Sequence, residues 1–382
     1  MTVMQDIQAD PRALQILYQG RDLEVLYLPG RAAYALVSFD IMHARANGRT
    51  GFALKLARKN DIPLFAVVPR RPHWYPRAEA EVAAKLIAAA KDRPTIGYGA
   101  SMGGYGVLKY GRLLNTDATL AFSPQISIDP GVTGAQDRRY GRFYDAAANG
   151  EMAVTPSDVA PNSRIIYDPI FAPDRYQQGL LAPDVATRIG LPHMGHRAIA
   201  TMTGSDNAMA VFAAALAGDD ATIRNVLRGN RSQTRDYYQG LAGAVLARGR
   251  PQLALSILQK GAALADMAQD TRLMRARIYS QLGQAERAIA LVEPLIAEQP
   301  HQVMFKRVLV DVLEQAGQTK QAIAVLQEAL AQSPNAVLAI RLSRLLHQTN
   351  PRKAKAFDVT ARATWPAHAD HFAGQVARAP LA

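Results

Sequence analysis

Cysteine is absent from all 382 residues. That excludes disulfides, thiolate metal sites and a thiol nucleophile, and it accords with a reducing, cytoplasmic compartment. No apolar run approaches about 18 residues, so no membrane-spanning helix is expected. The opening MTVMQDIQADPRALQ has no basic stretch followed by an apolar one, and no secretory leader is read there. Charge of one sign is nowhere concentrated. The net +12 is spread as 23 Lys and Arg against 18 Asp and Glu in residues 1–200, and as 21 against 14 beyond. The densest basic run, Arg58-Lys59 with Arg70-Arg71 further on, is short. A solvated basic surface is the better reading, and nucleic acid is not an expected partner. The pattern calls for no cofactor and no metal.

Apolar residues at 49% and charged residues at 20% describe a globular chain of about two domains. Up to about residue 200, short apolar runs alternate with helical patterns. Residues 34–39, 64–68, 95–99, 118–122 and 164–167 read as strands, and 51–59, 78–91 and 102–114 as amphipathic helices. Continuous apolar strands are those buried on both faces. The expectation for residues 1–204 is therefore an α/β domain whose mostly parallel sheet has flanking helices.

Residues 205–234 read as a helical linker. Beyond them, LARGRPQLALSIL, YSQLGQAERAIALV and LEQAGQTKQAIAVL align at Gly249, Gly283 and Gly317, and again at Ala254, Ala288 and Ala322. Pro300 and Pro334 keep the same 34-residue step. A helix–turn–helix unit of that length has the period of the tetratricopeptide repeat. The glycine ends the first helix, the alanine lets the two helices approach, and the proline stops the second. Repeats are placed at 235–268, 269–302 and 303–336. A degenerate fourth puts Asn350-Pro351 near the glycine position and Ala356 at the alanine position, so that 235–382 is an all-α superhelix.

Between a strand and a helix lies GYGASMGGYG, Gly97–Gly106. Ser101 occupies the centre of the G-x-S-x-G pattern of a nucleophile elbow. A serine on so sharp a turn has strained dihedrals, and side chains at positions 99 and 103 would collide with its neighbours. An ordinary glycine-rich turn, or a phosphate cradle at a helix N-terminus, would also suit this stretch. A nucleophilic serine needs a base and an acid to orient it, in the order Ser, Asp, His. His193 and His196, in GLPHMGHRAIA, are the candidate bases; His196 is preferred because a glycine precedes it on a loop that can reach the serine. Asp168, at the end of the strand 164–167, and Asp174, at the close of the next loop, are the candidate acids. Asp174 is preferred for lying a few residues beyond the strand. Each has a structural reading too, Asp174 as a helix N-cap and Asp168 as a turn former before Pro169. The first oxyanion donor is expected from the Met102 N–H, and the second from Phe39, Asp40 or Ile41 in VSFDIMHAR. Residues 125–163 interrupt the strand–helix rhythm. They read either as a lid, with Arg138, Arg139, Tyr140, Arg142, Phe143 and Tyr144 lining an access channel, or as a packed connector.

Gly97–Gly106, AFSPQ (Ala121–Gln125), HWYP (His73–Pro76), YDP (Tyr167–Pro169) and the pair Gly195-His196 together resemble bacterial α/β-hydrolase-superfamily proteins, some of which carry C-terminal tetratricopeptide repeats. The resemblance covers residues 20–200 for the hydrolase and 235–370 for the repeats. It implies a serine esterase, thioesterase or related acyl hydrolase. The loop after Phe39 lacks the His-Gly-Gly of many lipases and esterases, so that motif assigns no oxyanion donor here.

Two functions follow from different classes. The first is a serine hydrolase that cleaves an acyl ester or thioester of a small molecule, with repeats that bind a protein or peptide or self-associate. The second is a catalytically inactive hydrolase-like scaffold that works through its repeats. The first helices of the repeats carry Arg235, Tyr237, Tyr238, Arg272, Arg275, Arg277, Lys306 and Arg307, a set suited to an acidic or C-terminal-carboxylate peptide.

Overall fold

The computed structural model describes residues 13–262 and 268–372. Most of the stretch read for a leader (residues 1–12), part of the first repeat (263–267) and residues 373–382 lie outside the described residues. Packing divides the chain into two units, Met1–Tyr237 and Tyr238–Ala382.

In the first unit the apolar runs pair into an eight-stranded sheet of order β1-β2-β4-β3-β5-β6-β7-β8. Five strands lie on the runs named above: β3 (Ala35–Phe39), β4 (Leu64–Pro69), β5 (Thr95–Ala100), β6 (Ala118–Phe122) and β7 (Ser163–Tyr167). All five are parallel. Three more strands extend the sheet: β1 (Gln15–Gln19), β2 (Leu23–Leu28) and β8 (Thr187–Gly190). β2 runs antiparallel to both β1 and β4, and β8 parallel to β7. Glu24 interrupts the apolar run of β2 yet is buried, because its carboxylate accepts the N–H groups of Asn47 and Gly48 at 2.9 and 2.8 Å.

Alternate strand residues feed opposite faces. On one face Val37, Phe39 and Val67 pack with α2 (Arg77–Ala90) and α3 (Met102–Lys109) through Ala84, Ile87, Tyr105 and Leu108. On the other, Leu36, Leu64, Ile96 and Leu120 pack with α1 (Leu54–Lys59). The helix expected at 102–114 breaks at Tyr110, where α4 (Gly111–Leu114) begins. Short helices α5 (Pro130–Thr133) and α6 (Ala146–Asn149) lie within 125–163, and α7 (Ala172–Gly179) follows β7.

The segment read as a linker folds as α8 (Ser205–Ala217) and α9 (Asp220–Arg231), and it joins the second face of the sheet. Phe212 lies edge-on to Tyr98, ring centres 5.3 Å apart. Buried Arg164 pairs with Asp220 at 2.6 Å and donates to the Ala215 carbonyl at 3.0 Å, tying both helices to β7.

The second unit is helical. Its elements are α10 (Arg235–Leu246, which starts three residues before the boundary), α11 (Pro251–Ala262), α12 (Gln269–Gln281), α13 (Ala285–Glu298), α14 (Val303–Gln315), α15 (Thr319–Gln332), α16 (Ala336–Thr349) and α17 (Pro351–Thr364). Gly249, Gly283 and Gly317 all have φ of 70–72°, the left-handed conformation that ends a helix. Ala254, Ala288 and Ala322 are fully buried between paired helices. The final pair departs from the expected step. Asn350 ends α16 and also caps α17, its side chain accepting the Lys353 N–H at 3.0 Å, and the turn shortens. Ala354 is the buried small residue there, whereas Ala356 is exposed.

Candidate active site

The chain crosses from one side of β3 to the other between β4 and β5, so the carboxyl ends of β3 and β5 border the crevice where open α/β sheets hold ligands. Ser101 follows β5 directly and precedes α3, with φ 54° and ψ −119°. Its neighbours explain the glycines. A Cβ on Gly99 would lie 2.3 Å from the Gly103 carbonyl oxygen, and one on Gly103 would lie 2.1 Å from that of Phe39. The Ser101 N–H donates to the Phe122 carbonyl at 2.8 Å, which holds the strained turn against β6.

Ser101 Oγ lies 2.9 Å from His196 Nε2, and His196 Nδ1 lies 2.8 Å from Asp174 Oδ1. A carboxylate only accepts, so Nδ1 carries the proton and Nε2 presents its lone pair to the serine hydroxyl. Three segments distant in sequence meet in this way: the end of β5, the first turn of α7, and the 3-10 helical stretch Gly195–Met202 that follows β8. Asp174 is buried, with a side-chain exposure of 1%, while His196 retains 24%.

The other candidates sit as follows. His193 has φ 70° and faces the Tyr237 ring, centres 6.3 Å apart. Asp168 is buried; one oxygen accepts the Ile170 N–H and the other the Gly195 N–H, both at 2.8 Å. It braces the loop at the residue before His196. Met102 begins α3, so its N–H has no carbonyl within the helix. Phe39 lies within β3, paired on both sides. The Asp40 N–H is donated to the Val67 carbonyl at 3.0 Å, and the Ile41 N–H to Asp40 Oδ1 at 2.8 Å. The other Asp40 oxygen accepts the Phe52 N–H at 2.9 Å. Burial pushes the Asp40 carboxyl above its ordinary value, and these two N–H groups only partly offset that.

Segment 125–163 reaches into the site. Arg139 forks onto Asp137, Nε to Oδ1 and Nη2 to Oδ2, both at 2.8 Å. Its Nη1 donates to Asp174 Oδ1 at 3.0 Å. Burial opposes the guanidinium charge, but Asp137 and Asp174 more than compensate and hold Arg139 above its ordinary pKa. Burial likewise opposes the Asp137 charge; hydrogen bonds from Arg139 and Gln177 outweigh it and keep that carboxyl low. The Tyr140 hydroxyl lies 3.1 Å from His196 Nε2 and competes with Ser101 for the same lone pair. Its own pKa is raised, chiefly by burial.

Trp74 of HWYP and Gln125 of AFSPQ meet beside the serine. Trp74 Nε1–H donates to Gln125 Oε1 at 3.2 Å, and Gln125 Nε2 lies 3.3 Å from Ser101 Oγ. Trp74 and Tyr75 both have left-handed φ, 48° and 51°. Buried His73 supports that turn, donating from Nε2 to the Asp22 carbonyl at 2.8 Å and accepting the Tyr75 N–H at Nδ1. Two successive non-glycine residues of positive φ leave no signature in composition, so this turn was invisible in the sequence.

The sequence model of the tetratricopeptide repeat family matches residues 245–309. Within that stretch the chain carries the tetratricopeptide repeat. No curated protein matches the chain. Among solved structures, a capsule O-acetyltransferase of Neisseria meningitidis serogroup A, in complex with caged gadolinium, is 13% identical with a TM-score of 0.37, covering 48% of this chain and 88% of that one. The MamA protein is 14% identical with a TM-score of 0.31, covering 48% of this chain and 98% of that one. At these scores neither likeness bears on what the chain does. Among the described residues no helix is long and apolar enough to cross a membrane, and no group of three His, Asp or Glu side chains is arranged to hold a metal ion. Of the basic residues on the first helices of the repeats, Lys306 is buried and bonded to Gln332, Arg272 lies 3.8 Å from Glu298, and Arg277 and Arg307 are exposed.

Proposed function

We propose that the first unit is a serine hydrolase of the α/β-hydrolase type acting on an acyl ester or thioester, and that the repeats serve a protein partner or self-association. The reading rests on the hydrogen-bonded series Ser101–His196–Asp174, with the serine strained at the end of a central parallel strand. The antiparallel β2 beside an otherwise parallel core supports the same assignment.

In this reading Ser101 Oγ bonds to the acyl carbon as its proton passes to His196 Nε2, and the carbonyl electron pair moves onto oxygen. Asp174 holds the imidazole tautomer and steadies the imidazolium. Collapse breaks the bond to the leaving group, which takes the proton from Nε2; water then repeats the sequence to free the acid. The Met102 N–H steadies the oxyanion. Asp168 acts indirectly, through Gly195. Tyr140 occupies the approach to Nε2, so segment 125–163 acts as a lid whose hydroxyl yields that position to the leaving group.

A fluorophosphonate probe tests the reading. Ser101 should be labelled in the folded chain, and labelling should vanish in Ser101→Ala and His196→Ala. A folded wild-type chain that takes no label would favour the scaffold reading, for which the tetratricopeptide match over 245–309 is the supporting observation.

A further inference from the structure

A tetrahedral intermediate on Ser101 is best steadied by more than one donor to its oxyanion, and none of Phe39, Asp40 and Ile41 is well placed to be the second. The Asp40 N–H belongs to the sheet and the Ile41 N–H to the Asp40 carboxylate, while Phe39 is enclosed by strands on both sides. Met102 supplies one donor only. On the other flank of the serine sits Gln125, fully buried.

Its amide can face only one way. Trp74 Nε1–H is solely a donor, and the Ser123 carbonyl, 3.4 Å from Gln125 Nε2, is solely an acceptor. Oε1 therefore turns to Trp74 and Nε2 to Ser123, and Ser101 Oγ lies beside both ends of the amide, 3.3 Å from Nε2 and 3.4 Å from Oε1. The contacts of Nε2, at 3.3 and 3.4 Å, are long for N–H···O bonds. A buried amide so weakly bonded gains most when a full negative charge forms beside it. The backbone that carries it is well held. Ser123 N–H donates to the Ile166 carbonyl at 2.8 Å, Gln178 Nε2 to the Pro124 carbonyl at 3.1 Å, and Ile126 N–H to Gln177 Oε1 at 2.7 Å.

We propose that the Gln125 carboxamide is the second oxyanion donor, with Trp74 as the positioning residue that aims it. The proposal rests on the nucleophile reading of Ser101. No atom is exchanged at Gln125; Nε2–H shifts its bond from Ser101 Oγ to the neighbouring oxyanion as charge develops there.

The experiment uses the full chain, p-nitrophenyl acetate turnover and the rate of fluorophosphonate labelling. Gln125→Met keeps the side-chain length and removes the donor. It should lower kcat and the labelling rate by about 10²–10³-fold with KM little changed. A folded Gln125→Met with kcat within threefold of wild type overturns the proposal, as does a rise in KM at constant kcat. If Gln125→Met does not fold, Gln125→Glu replaces it, read against pH. A protonated carboxyl restores the donor, so activity relative to wild type should rise as pH falls; a flat ratio overturns the proposal. Failure of the underlying reading looks different, because the wild type itself would then take no label.

Discussion

Arg139 Nη1 donates to Asp174 Oδ1 at 3.0 Å, the same oxygen that receives the His196 Nδ1 proton at 2.8 Å. A cation from the segment between β6 and β7 is thus built into the acid end of the serine series. Its other side is forked onto buried Asp137. Arg139→Met would leave the Asp137 charge buried without its cation, with the Gln177 amide as the remaining side-chain donor. Since a quarter of the Arg139 side chain is exposed, the expected loss is about 2 kcal/mol rather than the full cost of a broken buried pair. Asp137→Asn added to Arg139→Met should recover part of it. Denaturation in a Trp365→Phe background, where Trp74 alone reports, would measure this; a double variant less stable than Arg139→Met would refute the coupling.

Ser101→Ala should abolish ester hydrolysis and leave the unfolding transition close to wild type, because the hydroxyl faces the site. Ser101→Gly should be equally inactive yet more stable than Ser101→Ala, by about 1 kcal/mol, since glycine tolerates φ 54° without strain. Equal stabilities would mean that the turn stores no strain.

The two aspartates should separate by kinetics. Asp174→Asn should cost on the order of 10⁴ in turnover by favouring the wrong imidazole tautomer. Asp168→Asn retains an acceptor for one of its two N–H partners and should cost far less. The reverse ranking would transfer the orienting role to Asp168.

Burial lowers the pKa of His73 from its ordinary 6.5, against the pull of its bond to the Asp22 carbonyl. The unfolded chain therefore binds this proton more readily than the folded one. The sign follows: stability is undiminished above about pH 6.5 and falls as pH drops below it. His73→Gln should flatten that slope in the same Trp74 assay, at some loss of stability at neutral pH. An unchanged slope would assign the acid sensitivity elsewhere.

In the repeats, Gly283 has φ 72° and open space where a Cβ would project. Gly283→Ala should thus cost about 1 kcal/mol through backbone conformation alone. A cost near zero, read by the helical circular-dichroism transition, would show that the turn adjusts freely.

Periodicity makes much of this fold legible in the sequence. Residues 35–39, 64–69, 95–100, 118–122 and 163–167 are mostly apolar on both faces because the sheet is covered on both sides, and such runs are conspicuous. The glycines at 249, 283 and 317 recur because each ends a helix with positive φ, a local demand that writes itself into composition. The glycines around Ser101 are of the same kind. β2 was less visible, because a carboxylate interrupts it and finds its partners more than twenty residues away. β8 is short and mixed, and the helices at 205–231 looked like a linker because their packing partners lie on distant strands.

The choice among candidates was of another kind. His193 and His196 stand three residues apart; the glycine before His196 favoured it in sequence, and the fold brings the His196 ring to the serine while His193 takes a left-handed φ of 70°. Asp168 and Asp174 differ in whether they meet backbone N–H groups or an imidazole. Arg139 was visible only as one of several residues of a lid or connector and Gln125 only as the end of AFSPQ, since the contacts each makes depend on partners tens of residues away along the chain. Local sequence determines which dihedrals and which buried faces a segment can adopt. Which polar groups then meet is settled by how the strands are ordered, and that ordering is a property of the whole sheet.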